Sequence, residues 1–312
     1  MIMKKVSSRA SACLKILGAG IGWGCSGLFT RPLLNVGMGI GTVAAVRNTG
    51  CMLLLLMIFS LKDRSVFRIR LRHLPIFFGT GIMSILLVTI LYYRCQALCS
   101  LAVSAILLYT APAIVVLLSA VIFREKITKI KLMALALALL GCSFVTGIWS
   151  GNLNITSQGL VTGLCAGFFY ALYSIFSRFA LAAHDSTLTI VVWSFLFSGS
   201  FSLFFMDLPI LLTTLPQPKI LLSSACLIWI STLLPYLLYT KGLESVESGK
   251  AAILTSIEPV AAAFVGILAY GESLTLSVFM GLGCILLCIL ILQGDSDPAD
   301  CKDTHRRNGS CS

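Results

Sequence analysis

The chain repeats itself at a spacing of 147 residues, so that matching residue types recur from near one end almost to the other. Phe29 and Arg31 return as Phe176 and Arg178, Thr42 as Thr189, and Ser84, Leu86 and Leu87 as Ser231, Leu233 and Leu234. The densest stretch runs from Leu91 to Thr128. There Leu91, Tyr92, Ala105, Ile106, Leu107, Pro112, Glu125 and Thr128 meet Leu238, Tyr239, Ala252, Ile253, Leu254, Pro259, Glu272 and Thr275, eight identities in 38 ungapped positions. Chance gives roughly one in ten for so biased a composition. A duplicated unit restricts the fold to two halves of like architecture. Halves of that kind in a membrane point to a transporter with its site between them.

The membrane follows from composition. Of the residues 58% are hydrophobic and 11% charged, with a mean hydropathy of +0.98, whereas soluble domains carry about 25% charge. Ten apolar runs occur, at 14–34, 39–61, 74–94, 100–122, 131–149, 158–181, 187–208, 219–241, 248–270 and 275–293. Each approaches the roughly 20 residues that cross about 30 Å of hydrocarbon as a helix. The expected fold is an all-α membrane protein with ten transmembrane helices in two five-helix repeats, 14–149 and 158–293, followed by a cytoplasmic tail, 294–312.

Five crossings per half would bring the second half in from the opposite side, an inverted repeat. Lys and Arg test this, because they collect in cytoplasmic loops. With both termini cytoplasmic, 19 of the 23 fall on the inner side, including Lys62, Arg64, Arg68, Arg70, Arg72, Arg124, Lys126, Lys129, Lys131, Arg178, Lys241 and Lys250. Arg31, Arg47, Arg94 and Lys219 are left for outer ends or helix interiors. The net charge of +11 is thereby explained as orientation and anchoring to the lipid bilayer, with no nucleic-acid partner. The segment from Lys4 to Gly20 begins like a secretory signal, but its apolar run is too long and lacks a small-residue cleavage site. It is expected to be the first spanning helix.

Several chemistries are excluded as readings of the residues. Of the 12 cysteines, Cys13, Cys25, Cys51, Cys142, Cys165, Cys226, Cys284 and Cys288 sit inside predicted helices as small apolar residues. Cys95 and Cys99 bracket the expected outer turn, where free thiols and a disulfide are the alternatives, and Cys301 and Cys311 fall in a reducing compartment. His73, His184 and His305 lie at loops or in the tail and make no metal cluster, so neither a metal nor another cofactor is expected. Asn154-Ile155-Thr156 is a glycosylation sequon in an outer loop. No P-loop is present, which argues against ATP hydrolysis by this polypeptide. An enzyme would need clustered His or acidic residues, and a channel a continuous polar stripe. The residues show neither.

Candidate site residues come from broken membrane rules. Charge at bilayer depth costs about 2.5–3.5 kcal/mol or more. Glu258, midway along the ninth helix, therefore reads as a coupling or substrate-binding carboxylate, with a structural acid as the alternative. Arg47, deep in the second helix, reads as a structural partner or a contact to loop carbonyls, with contact to an anionic group of the substrate as the alternative. Pro112 and Pro259 correspond under the repeat and free the carbonyls of Leu108 and Thr255, and a matched pair of interrupted helices points to a transport site. Pro235 adds a break opposite Val88, without a matching proline. Trp23, Tyr92, Tyr109, Tyr170, Tyr173, Tyr236 and Tyr239 complete the expected substrate-binding set; Trp23 and Tyr170 lie mid-helix, away from any interfacial belt. Glycines 18, 20, 22, 24 and 27 with 163 and 167 permit close helix approach. Glu125 and Glu272, three residues before Thr128 and Thr275, are expected to cap the next helix or accept from loop N–H groups.

These residues resemble a known family. Leu-Tyr-Thr-Ala-Pro-Ala followed by Phe-Arg-Glu-Lys-Ile-Thr, echoed by Ser-Ile-Glu-Pro-Val and Tyr-Gly-Glu-Ser-Leu-Thr, together with Trp23-Gly24, is similar to the EamA-type drug/metabolite transporters. The resemblance implies a ten-helix carrier of metabolites such as amino acids, often exporting, with a cavity lined by helices 1, 3, 4, 6, 8 and 9. Ala111 before Pro112, against Glu258 before Pro259, departs from symmetry. The expected function is a secondary transporter of a small-molecule substrate in the cell membrane, with importer or exchanger as the alternative. Ligand, coupling ion and oligomeric state are left open.

Overall fold

The computed structural model describes residues 2–99, 101–150, 156–271, 273 and 275–293. The sequon at Asn154, Glu272 and the tail from 294 onward, with Cys301, Cys311 and His305, lie outside them. The described residues are helical and contain no strand. Eight helices are long and apolar enough to cross a bilayer: α1 (Ala10–Asn35), α2 (Ile40–Lys62), α3 (Leu71–Leu98), α4 (Val103–Phe123), α6 (Ser157–Ala182), α7 (Thr187–Phe205), α8 (Pro218–Leu243) and α9 (Ser248–Tyr270). Two are shorter, α5 (Lys129–Val145) and α10 (Leu276–Leu292). The ten apolar runs thus yield eight helices of spanning length, not ten. At 1.5 Å per residue, 17 residues reach about 26 Å, a little less than the hydrocarbon thickness. α5 starts late because Thr128 caps it by accepting from Lys131 N at 3.1 Å, and it stops where the chain turns at Gly147, φ +73°.

The repeat extends to the backbone. Left-handed residues occur at Gly37 (φ +86°) and His184 (φ +66°), and again at Arg124 (φ +56°) and Gly271 (φ +67°). Both pairs are 147 apart, each turning the chain after a helix. α3 and α8 each contain a π-helical segment, Gly79–Leu87 and Trp229–Leu233. In both a hydroxyl bonds to the carbonyl five residues back: Ser84 to Gly79 at 2.9 Å and Thr232 to Leu227 at 2.7 Å. The proline at 235 has no counterpart, but the irregularity preceding it does. A π segment forms with or without proline, because the hydroxyl satisfies a carbonyl that the wider turn leaves open.

Three of the corresponding helix pairs, α2 with α7, α4 with α9 and α5 with α10, pack across the two halves, and they run antiparallel. The start of α2 meets the end of α7, with Asn48 Nδ2 donating to Ser202 Oγ at 3.0 Å and Thr49 Oγ1 to Gly199 O at 2.9 Å. The end of α5 meets the start of α10, where Ser277 Oγ donates to Phe144 O at 2.8 Å. The end of α4 meets the start of α9 through Glu125. A two-fold relation that makes like helices antiparallel has its axis perpendicular to them. The halves are also interlocked: α1 packs on α8 and α9, while α6 packs on α3 and α4.

Apolar burial does not drive helices together in lipid, and single interhelical hydrogen bonds average about 0.6 kcal/mol, so close backbone contact carries the packing. Gly20 and Gly167, matched by the repeat, are two of the positions of close approach. A Cβ on Gly20 would stand 2.5 Å from Ile257 Cγ2 and 3.2 Å from Thr255 O; one on Gly167 would stand 2.6 Å from Thr110 Oγ1 and 2.7 Å from Leu107 O. Each glycine lies against the interrupted turn of a helix from the other half. Gly167→Ala is therefore expected to destabilise the detergent-solubilised protein by roughly 1–3 kcal/mol through overpacking. Gly283→Ala, with no atom within 4 Å of the added carbon, should leave the thermal midpoint unchanged or raise it.

Candidate functional site

The interruptions expected at the two matched prolines are present. α4 breaks at Tyr109 and Thr110, and α9 tightens to a 3-10 turn over Thr255–Ile257, each just before its proline. Part of the loosened backbone is satisfied locally: Thr110 Oγ1 donates to Leu107 O at 2.6 Å, and Thr255 Oγ1 to Ala252 O at 2.7 Å. The breaks place Tyr109 and Glu258 at the centre of the bundle, beside the glycine-rich face of α1.

A cavity of about 530 Å³ opens there, lined among others by Trp23, Tyr92, Tyr109, Glu258 and Pro259. Its mouth lies between the ends of α1, α3, α5 and α9, at Arg31, Gln96, Thr146 and Tyr270. Trp23 forms the floor, its ring edge-on to Tyr170 at 6.4 Å and Tyr236 at 5.3 Å, and tilted against Tyr239 at 5.5 Å. Beneath it a void of about 20 Å³, lined by Trp23, Pro112, Tyr170, Tyr173, Tyr236 and Tyr239, has room for about one water. All ten residues expected at the site line one of these two spaces, which Trp23 divides.

Tyr170 Oη donates to Glu258 Oε2 at 3.4 Å, a long bond that orients the carboxylate weakly. A side cavity of about 140 Å³ joins Glu258 to Arg47 through Tyr92, Tyr93 and Tyr236. The structural partner expected for Arg47 is not found. No ion pair reaches it among the described residues, and its Nε is buried without an acceptor. It faces the side cavity instead of a loop carbonyl. An acid and a base therefore share one water-accessible, aromatic-walled space, where each can meet a polar ligand.

The opposite end of the bundle is sealed. Tyr173 Oη and Thr240 Oγ1 lie 2.9 Å apart, and Ser174 Oγ and Tyr239 Oη 2.7 Å apart, joining α6 to α8. Arg178 Nη1 donates to Leu243 O at 2.6 Å, at the C-terminal end of α8, where a cation also complements the helix dipole. Glu125 accepts from Ser248 N at 2.9 Å and Gly249 N at 3.1 Å. It caps α9 of the other half and not the helix that follows it, because the antiparallel pairing brings the start of α9 to the end of α4. Lys131, only 2% exposed, pairs with Glu247 and donates to Lys126 O at 3.0 Å. His73 Nδ1 and Asp185 Oδ2, 2.8 Å apart, tie two further loops at this end. Cys95 and Cys99 are free thiols, Cys95 Sγ donating to Gly159 O at 3.3 Å. No group of three or more potential metal ligands forms among the described residues.

A profile of the EamA-like transporter family matches residues 10–147 and 157–293. The chain belongs to this family. It is a multi-pass membrane transporter. The uncharacterized inner membrane transporter YicL of Salmonella typhimurium is 26% identical over 300 residues, 93% of this chain and 98% of that one. An uncharacterized transporter of Archaeoglobus fulgidus is 30% identical over 200 residues, covering 61% of this chain and 66% of the other. A crystal structure with 16% sequence identity superposes with a TM-score of 0.75 over 90% of this chain and 96% of the other, which establishes a shared fold.

In this EamA-like transporter the residues that line the cavity carry clearer sequence signals than those that close the other end. Arg178, Lys131 and Glu125 read as orientation charges and a local cap, and Glu247 carries no signal in the sequence. One signal was available: Arg178 repeats Arg31, and an identity retained at a charged position asks for a shared role. Removing one member of the Lys131–Glu247 pair strands a buried charge, which costs about 3–5 kcal/mol, whereas replacing both is often near neutral. Glu247→Gln is expected to lose most of that amount in thermal unfolding, and Lys131→Met with Glu247→Gln to recover most of it. Equal losses in the single and double variants would show that the pair does not hold this end.

Proposed function

We propose that this EamA-like transporter is a secondary carrier that moves a small polar or amphipathic metabolite, of amino-acid size, across the cell membrane by alternating access, in the export direction. Ten helices cross the bilayer in this reading, α5 and α10 with them. The repeats 14–149 and 158–293 enter from opposite sides, and both termini are cytoplasmic. The inner membrane is the expected location, as the name of the Salmonella relative states for that protein. The observation that carries the reading is the asymmetry of the bundle, a 530 Å³ cavity open at one end and hydroxyl, arginine and lysine contacts closing the other. The volume falls within the roughly 300–1,000 Å³ of small-ligand sites. A closed end also speaks against a channel, which needs a continuous path.

In this mechanism the substrate enters the cavity above Trp23 and between Tyr92 and Tyr109, with Glu258 and Arg47 as its charged contacts. Tyr170, Tyr173, Tyr236 and Tyr239 form the wall that parts when the other face opens. The broken turns before Pro112 and Pro259 let α4 and α9 flex without stranding buried backbone. Glu258 couples the cycle if it binds a proton in one half-cycle and substrate in the other.

A metabolite screen of overexpressing cells identifies the substrate, and counterflow in liposomes then tests the mechanism. Saturable counterflow is expected, and leak without saturation would support the channel. Glu258→Gln, neutral at every pH, should abolish the pH dependence of substrate transport. An unchanged pH profile would remove Glu258 from the coupling role.

A further inference from the structure

The sealed face and the open face are related residue by residue, and the relation identifies the closing contacts of the face that is now open. Subtracting 147 converts the seal into the cavity mouth: Tyr173 becomes Ser26, Arg178 becomes Arg31, Tyr239 becomes Tyr92 and Leu243 becomes Gln96. All four counterparts line the 530 Å³ cavity. Thr240 becomes Tyr93, in the adjoining side cavity. One hydroxyl pair is kept with its sizes exchanged, tyrosine and threonine on one face, serine and tyrosine on the other, whereas the second, Ser174 with Tyr239, becomes Gly27 with Tyr92 and is not kept.

Arginine is the invariant member, and it occupies different places on the two faces. On the sealed face Arg178 reaches across to α8, donating to Leu243 O at 2.6 Å and Val246 O at 3.5 Å. On the open face Arg31 instead lies over the ring of Tyr270 of α9, 4.0 Å from its centroid. The Tyr270 hydroxyl in turn donates toward the carbonyls of Gly27 and Leu28, at 3.4 and 3.3 Å. The outer end of α1 is thereby held to α9 and away from α3. The position matching Tyr270 is Phe123, which packs on Phe179 at 4.9 Å and leaves Arg178 to α8.

We infer that Arg31 is the gate residue of the open face: in the opposite state it leaves Tyr270 and donates to the last-turn carbonyls of α3, at Gln96 and Cys99, while Ser26 meets Tyr93. Tyr270 helps to hold the arginine while the face is open, through a cation–π contact that operates at partly solvated sites. A carbonyl pair at a helix C-terminus holds it once water is excluded. Different partners for one cation in the two states make the face bistable, and they give the closure an end point set by the fold and not by the substrate. Arg31 and Arg178 are then positioning residues acting in opposite phases. The assignment rests on the carrier reading above.

The test needs no known substrate. Ala105 and Ala252 correspond under the repeat, Ala105 lining the open cavity and Ala252 the small void beneath Trp23. In the full chain with its 12 native cysteines replaced, Ala105→Cys and Ala252→Cys report access from the two sides. Each is labelled with a membrane-impermeant maleimide, applied separately to right-side-out and inside-out vesicles. Arg31→Ala is expected to raise the ratio of Ala105 to Ala252 labelling about fivefold or more, as for loss of one charge-assisted hydrogen bond. Arg178→Ala should lower it by a similar factor, with the double variant near the starting ratio. An unchanged ratio in Arg31→Ala, or a shift of the same sign in both variants, overturns the gate assignment. The Arg31→Ala arm decides by itself if the Arg178 variant does not insert. Labelling of each reporter from both sides at once would instead defeat the carrier reading, a result distinct from failure of the gate.

Discussion

The centre of this bundle depends on backbone approaching backbone at two matched points, where Gly20 of α1 lies on the broken turn of α9 and Gly167 of α6 on the broken turn of α4. A broken helix in lipid exposes carbonyls that no water can reach, so it persists only under cover. The glycines let another helix come close enough to supply that cover. Because each comes from the opposite half, covering the breaks also interlocks the repeats. The cavity exists because the breaks do, and the breaks survive because the halves cross.

The same geometry separates what is rigid from what can move. Along α2 with α7, and α5 with α10, small residues and hydroxyls join antiparallel partners along much of their length. Around the axis the contacts are different in kind. The sealed end is held by polar side-chain contacts: Tyr173 with Thr240, Ser174 with Tyr239, Arg178 to the end of α8, Glu125 to the start of α9, and Lys131 to a loop carbonyl and Glu247. Contacts of this sort are individually replaceable by water or by a different carbonyl. A seal made of them can release without unpacking the pairs at the periphery.

How much of this the sequence disclosed can be judged at particular positions. Trp23, Tyr109, Tyr170 and Glu258 were legible because they break membrane rules in mid-helix, and such breaks need a polar or aqueous neighbour. Pro112 and Pro259 were legible as a matched pair. Glu125 was legible as a cap but not as the cap of α9, since a capping signal is local and its recipient lies 123 residues away. Arg47 read first as a structural partner and second as a contact to an anionic group, and the sequence could not choose between them, because a void between helices leaves no mark on any one of them. The matched π segments of α3 and α8 were hidden because a side chain bonding five residues back looks in sequence like any serine or threonine.

By itself the sequence determined that the chain lies in a membrane, is helical, and is built twice over, because hydropathy and a constant 147-residue offset are properties of the chain written out in line. It also determined where helices break, since proline acts on its own backbone. Only the tertiary structure decided which end of the bundle is open, that α5 and α10 fall short of the other helices, and which charges meet. Those outcomes depend on distances between helices far apart in the chain, set by the small residues on both sides of each contact. A repeat fixes which residues are equivalent. It cannot say which of two equivalent faces is closed.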